Sequence, residues 1–423
     1  GDKTIDGGLG IDTLTISDGS GHSLLDYTIN FDKLSETTSF VNGSDQIDFS
    51  KIEKLQVNSE VWTVLNNCTA LKPNGTYFDF SLGGNDAAYG FFSATSNTLK
   101  LTDGDLEFIL GWLTEFGFSS ESDLTIYSSN TSGSSGHNPE GTDIEIRDST
   151  LDKVTVYGGS GNDIITIHTR TSEIDIIHAG GGDDIIKINP NFSIDTFDGG
   201  DGIDTISFQK SWEEAANTPV TFNLDTHSSN FENIIGSHYS DNLTGNNNAN
   251  VITGDNDTPN FGEGDDIIKG LGGNDTLEGN GGDDQLDGGK GADIITTGSG
   301  SDVIILRAGD GGASLLGADI IRDFTDGSDT FGMDDGLTYS DLTIAQGTGS
   351  NSSHTIISKT ASSEYLAVLN NMTASSLNYF DFSSMTTGSL TLTGTSGDDI
   401  LFGAAGTDTI TTGTGTDIVI AGL

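Results

Sequence analysis

The residues best placed to do chemistry in this 423-residue chain are aspartates repeated at a fixed phase. Fourteen segments fit one nine-residue template, Gly-Gly-x-Gly-x-Asp-x-(aliphatic)-x. They start at Gly7, Gly158, Ala179, Gly199, Gly236, Gly245, Phe261, Gly270, Gly279, Gly288, Thr297, Gly394, Gly403 and Thr412. The sixth position is Asp12, Asp163, Asp184, Asp204, Asp241, Asp266, Asp275, Asp284, Asp293, Asp302, Asp399, Asp408 or Asp417. The one departure is Asn250, which keeps an oxygen and loses the charge. Carboxylates recurring beside glycine-rich backbone form an oxygen-only donor set. Calcium takes six to eight such oxygens at about 2.3–2.6 Å, whereas magnesium demands strict octahedral geometry and zinc prefers nitrogen and sulfur. The expected cofactor is therefore calcium. Asp257, beside an insertion at 258–260, and Asp323 and Asp329 in a later segment complete the candidate ligands.

The elements that must position these groups follow from the same phase. Glycines allow positive φ and close backbone approach, so the first six residues can turn tightly with their carbonyls directed at one centre. The last three form a minimal strand whose eighth residue, aliphatic in every copy from Leu14 to Val419, faces inward. Two nonapeptides then complete one coil. Asp266, Asp284 and Asp302 are expected along one edge and Asp275 and Asp293 along the other. Glycine-rich acidic sequence is ordinarily disordered, but a disordered tail has no reason to keep an apolar residue two positions after each carboxylate.

The formal charge is −48; of 64 acidic residues 15 are Glu, leaving 49 Asp. The short carboxylate suits turns and metal ligands, and the net charge argues against nucleic acid and anionic membranes as partners. With one cysteine, Cys68, no intrachain disulfide forms. No apolar run is long enough to insert in a membrane, and no secretory signal is present.

The nonapeptide resembles that of the RTX (repeats-in-toxin) family of secreted bacterial proteins. Residues 220–225 with 231–236 resemble the family's lead-in, and 321–329 its exit. The resemblance implies calcium-bound parallel β-rolls, type I secretion and folding triggered by extracellular calcium. The family's C-terminal secretion signal is missing, so a longer polypeptide is expected. The fold class expected is all-β: calcium-bound parallel β-roll or β-helix segments interrupted by β-rich globular inserts, with one short helix.

The interruptions divide the chain. Residues 1–18 hold one repeat; 19–141 form a β-rich insert with one helix; 142–208 form wider coils, because Gly158, Ala179 and Gly199 are spaced by 21 and 20 residues. Residues 209–235 are the lead-in, 236–310 a β-roll, 311–390 a second β-rich insert and 391–423 a further roll. The helix is expected over 105–116, where Leu106, Ile109, Leu110, Leu113 and Phe116 share a helical face. Two segments echo each other: 64–70 with 77–81, and 368–374 with 379–383. The chain ends, joined, would read as one nonapeptide, which suggests head-to-tail continuation or a lattice.

Enzyme chemistry is not expected. The chain lacks His-Glu-x-x-His and Gly-x-Ser-x-Gly; His168 and His178 were the nearest to a pair, on adjacent coils. Three readings compete: a structural segment of a secreted surface protein such as an S-layer, fibre or giant adhesin; the calcium-dependent secretion domain of an exoenzyme; and a module binding cell-surface glycan.

Overall fold

The computed structural model describes strand segments between residues 3 and 147 and, beyond them, residues 153–168, 175–188, 196–208, 219–255, 264–385, 391–403 and 407–420. Asp12, Asp257, Cys68, residues 110–116 and both chain ends lie outside the described residues. Two compact units are present, residues 1–207 with 227–231, and residues 208–226 with 232–423.

In the first unit the strands Leu124–Ser128, Val154–Tyr157, Ile176–Gly181 and Thr196–Asp201 pair in parallel, one coil after another. A second parallel row runs through Asp143–Arg147, Ile164–His168, Ile185–Ile188 and Thr205–Ser207. Register aligns Ile126, Val156, Ile177 and Phe197 in one row and Ile144, Ile165, Ile186 and Ile206 in the other. All eight are at most 1% exposed. Period-two alternation thus gives each strand one inward face, and in-register stacking turns single apolar residues into continuous columns.

The second unit repeats this with shorter coils. One column is Phe222, Leu243, Ile268, Leu286, Ile304, Phe331 and Phe382; the other is Ile234, Ile252, Leu277, Ile295, Ile321 and Leu369. Each member is at most 1% exposed. Register offsets of 18 residues, as in Leu277↔Ile295 and Ile268↔Leu286, confirm two nonapeptides per coil. Beyond Ile304 the columns are continued by non-repeat strands. Glu364–Leu369, the last of an antiparallel meander, pairs in parallel with Asp319–Ile321, so Val368 of the echoed segment sits beside Ile320.

The residues expected to begin a helix at 105–116 do not. Leu106–Ile109 is a strand, parallel to Asp143–Arg147 with Leu106↔Ile144 in register. Leu-Glu-Phe-Ile also reads as alternation, and the ladder offered by an existing coil outweighs a local helical period. Among the described residues the α-helix is Leu224–His227, whose first amides, of Asp225 and Thr226, donate to Asn223 Oδ1. His168 and His178 lie in strands of the two different rows, because ten residues is half a wide coil.

Candidate metal centre

The template aspartates are tied to main chain of the neighbouring coil. The N–H of Asp266 donates to Asp284 Oδ1 at 2.8 Å, and that of Asp284 to Asp302 Oδ1 at 2.9 Å. On the other edge the N–H of Asp275 donates to Asp293 Oδ1 at 2.8 Å. The carbonyl of each Asp accepts from the first strand residue of the next coil, as in Gln285 N–H to Asp266 O at 2.7 Å and Ile294 N–H to Asp275 O at 2.8 Å. The row extends backward through Val220 N–H to Asp241 Oδ1 and Asp241 N–H to Asp266 Oδ1, each 2.7 Å, and forward through Asp302 N–H to Asp329 Oδ1, 3.3 Å. The wide coils obey the same rule: Asp163 donates to Asp184, and Asp184 to Asp204, at 2.6 and 2.8 Å. In the last roll Asp399 donates to Asp417 Oδ1 at 3.0 Å.

One oxygen of each carboxylate is therefore committed to the coil stack. At six of these positions the other is left over. Oδ2 of Asp184, Asp266, Asp275, Asp284, Asp293 and Asp302 is buried without a hydrogen-bond partner, although these residues are at most 1% exposed. A buried carboxylate oxygen without a donor is unfavourable by several kcal/mol. Where the repeat opens on glycine, as for Asp275, Asp284 and Asp293, the orphan lies at that first glycine. A Cβ built on Gly270 would meet Asp275 Oδ2 and the carbonyl of Gly288, at 2.5 Å; one on Gly279 would meet Asp284 Oδ2 and the carbonyl of Thr297. The cradle thus pairs a carboxylate oxygen with a main-chain carbonyl from the next coil. The first glycine leaves that room, while the fourth, as in Gly282 at φ +110°, supplies the left-handed turn.

The electrostatics demand neutralisation. Burial pushes Asp266 up to about 9, with the neighbouring charges of Asp241, Asp255 and Asp284 acting in the same direction. Burial likewise raises Asp184, Asp275 and Asp284 to about 7 and Asp302 to about 6, and raises Asp241 and Asp293. Either protons or a metal must neutralise such rows near neutral pH. Among the described residues no three His, Cys, Asp or Glu side chains gather around one point. A cation here would be held by Asp Oδ2 together with main-chain carbonyls, an all-oxygen set that fits calcium. Bound there, calcium neutralises the carboxylates and ties one coil to the next.

The remaining expected ligands are placed differently. Asp163 Oδ2 accepts from Gly159 N–H, Asp241 Oδ2 from Ser237 N–H and Asp399 Oδ2 from Thr395 N–H, at 2.8, 2.5 and 2.6 Å. Asp323 uses both oxygens on the amides of Thr297 and Gly298, at 2.9 and 3.0 Å. Asp329 Oδ2 accepts from Thr325 N–H at 2.7 Å. Asp204 is fully buried, and Asp408 and Asp417 are half-buried.

The template also missed residues. Asp175 and Asp319 occupy ladder positions, accepting from Val154 N–H at 3.1 Å and Asp293 N–H at 3.0 Å. Both carry Asp-x-aliphatic without the opening glycine pair, which is the signal that was available. Asp255, 3% exposed, is off the template altogether. A second, outer ladder runs through the fifth position: Asp283 N–H donates to Asp265 Oδ1, and Ser301 N–H to Asp283 Oδ1, at 2.8 and 2.7 Å.

Comparison with known proteins agrees with this geometry. The family model of the RTX calcium-binding nonapeptide repeat (4 copies) matches residues 154–166, 171–187, 262–295, 279–311 and 391–423. No curated protein matches the chain. Among solved structures, the extracellular lipase LipA from Serratia marcescens aligns at 12% identity and a TM-score of 0.24, over 62% of this chain and 44% of the lipase. The chain thus spans less than half of that protein's length.

Proposed function

From a chain that carries RTX calcium-binding nonapeptide repeats, we propose an extracellular structural protein: a non-catalytic segment of a secreted bacterial surface protein, S-layer, fibre or adhesin, in which calcium drives folding and assembly. The observation that carries the reading is the row of orphaned, buried Asp oxygens. They lie between coils, where a bound cation acts on the fold and not on a substrate. Coils with three-residue strands such as Gln285–Asp287 bury little apolar surface each, so the ordering entropy must be offset by the ions. Calcium at about ten times its dissociation constant adds ~1.4 kcal/mol per site, and several sites together match the stability of an ordinary domain. Such a protein stays unfolded where calcium is scarce and folds outside the cell, where it is abundant.

Electron microscopy and sedimentation of the full chain, in millimolar calcium and in excess chelator, test the reading. Filaments or sheets that form in calcium and dissolve in chelator support it. Monomers throughout would remove the assembly role, and particles of the same size and circular dichroism in both solutions would remove calcium from the account.

A further inference from the structure

Asp255 follows Gly254, the glycine that opens the coil after Val251–Thr253. The space above Gly254 is a cation cradle of the kind described: a Cβ there would meet Asp266 Oδ2, with the Gly279 carbonyl oxygen 3.0 Å away. Asp266 Oδ2 is buried and has no hydrogen-bond partner, its residue being 1% exposed, while Oδ1 is committed to Asp241 N–H. What sets this cradle apart is a second carboxylate beside it. Asp255 Oδ2 accepts from Gly264 N–H at 2.8 Å, and its carbonyl accepts from Asn280 Nδ2 at 2.6 Å. Those bonds hold it between two coils, with its charge acting on both Asp266 and Asp284. At the Gly270 and Gly279 cradles the carboxylate met is the template aspartate of the same repeat, Asp275 or Asp284. Here the coil offset is 25 residues, as in Asp241 to Asp266, because an insertion separates Gly254 from the next repeat. Asp255 follows Gly254 directly, ahead of that insertion.

We propose that Asp255 supplies an extra carboxylate to the cation position formed by Asp266 Oδ2 and the Gly279 carbonyl, making it the tightest calcium site of the second unit and the first to fill. Calcium affinity rises with the number of charged ligands, and that number is greater here. The inference rests on the calcium reading and adds an order to it: loading begins at the insertion and the coils on either side follow.

The test is a calcium titration of the full, chelator-stripped chain by calorimetry, with Asp255→Asn compared to Asp283→Asn, which removes an equal charge from the outer ladder. The native chain is expected to show a first site at least tenfold tighter than the rest, a difference of about 1.4 kcal/mol. D255N should weaken that site tenfold or more and leave the later ones; D283N should retain it. Calcium binding in which D255N superimposes on the native titration overturns this inference and leaves the calcium reading intact. No calcium binding at all overturns both. Should D255N fail to fold, terbium luminescence lifetimes on the native chain decide: the first equivalent should carry about one fewer water than those that follow, and equal hydration throughout overturns the proposal.

Discussion

Replacing Gly279 by Ala adds one methyl group at the point where Asp284 Oδ2 and the Thr297 carbonyl converge. The methyl group presses on the two oxygens that would hold the cation and on main chain that is fixed by the stack above it. Overpacking of this kind is destabilising by about 1–3 kcal/mol. Loss of one ion, with calcium at ten times its dissociation constant, removes about 1.4 kcal/mol more. The sum, about 2.4–4.4 kcal/mol, corresponds to a fall of roughly 1–2 M in the urea midpoint at an m-value of about 2 kcal/mol/M. A matched control is Gly397→Ala, whose added Cβ has its nearest neighbour, Thr395 Oγ1, at 3.9 Å. Urea unfolding in millimolar calcium, with calorimetric stoichiometry on the same samples, measures both terms. G279A should bind one ion fewer and unfold early; G397A should match the native chain in both. A G279A protein with the native ion count and midpoint would refute the assignment of the cradle.

Further outcomes are expected. Without metal, the Asp residues of the unfolded chain ionise near 3.8, whereas in the fold Asp184, Asp275 and Asp284 ionise at about 7 and Asp266 at about 9. The fold then holds protons that the unfolded chain has released, so the stability they contribute is fully present below about pH 4 and is lost as pH rises through 7 to 9. Circular dichroism in chelator should show the β signal returning as pH is lowered from 8 to 5; a signal independent of pH would contradict this. Phe331→Ala removes a fully buried ring stacked on Phe324 and Phe382, at centroid distances of 4.8 and 5.2 Å. It should lower stability by about 3–5 kcal/mol with the number of bound ions unchanged, as checked by urea unfolding and calcium titration.

The nine-residue phase carried much of this structure in advance. Leu277, Leu286, Ile295 and Ile304 were legible as an inward column because one aliphatic residue per nonapeptide leaves no other choice of core face. The two Asp rows followed from two repeats per coil, and the hydrogen bonds between successive Asp residues are the physical form of that spacing. What the template could not convey was the use of each oxygen: Oδ1 serves the stack, and only Oδ2 is turned to the cradle. Asp175 and Asp319 escaped because neither is preceded by the template's opening glycines. Asp255 escaped because it lies between Gly254 and the insertion, off the template. The outer ladder through Asp265 and Asp283 was hidden at a position free to vary, where any short side-chain oxygen can reach the next amide. Leu106–Ile109 was misread because four residues satisfy both periodicities, and the choice between them is made by the neighbouring strand.

The central claim is that the buried Asp rows are calcium sites on which the coil depends. Hydrogen exchange of the full chain, followed by mass spectrometry over residues 264–304, tests it most directly. The amides of Asp266, Asp275 and Asp284, each bonded to an aspartate one coil away, should be strongly protected in millimolar calcium and should exchange as in an unfolded chain in excess chelator at pH 8. Equal protection in both solutions would show that the coil stands without the metal.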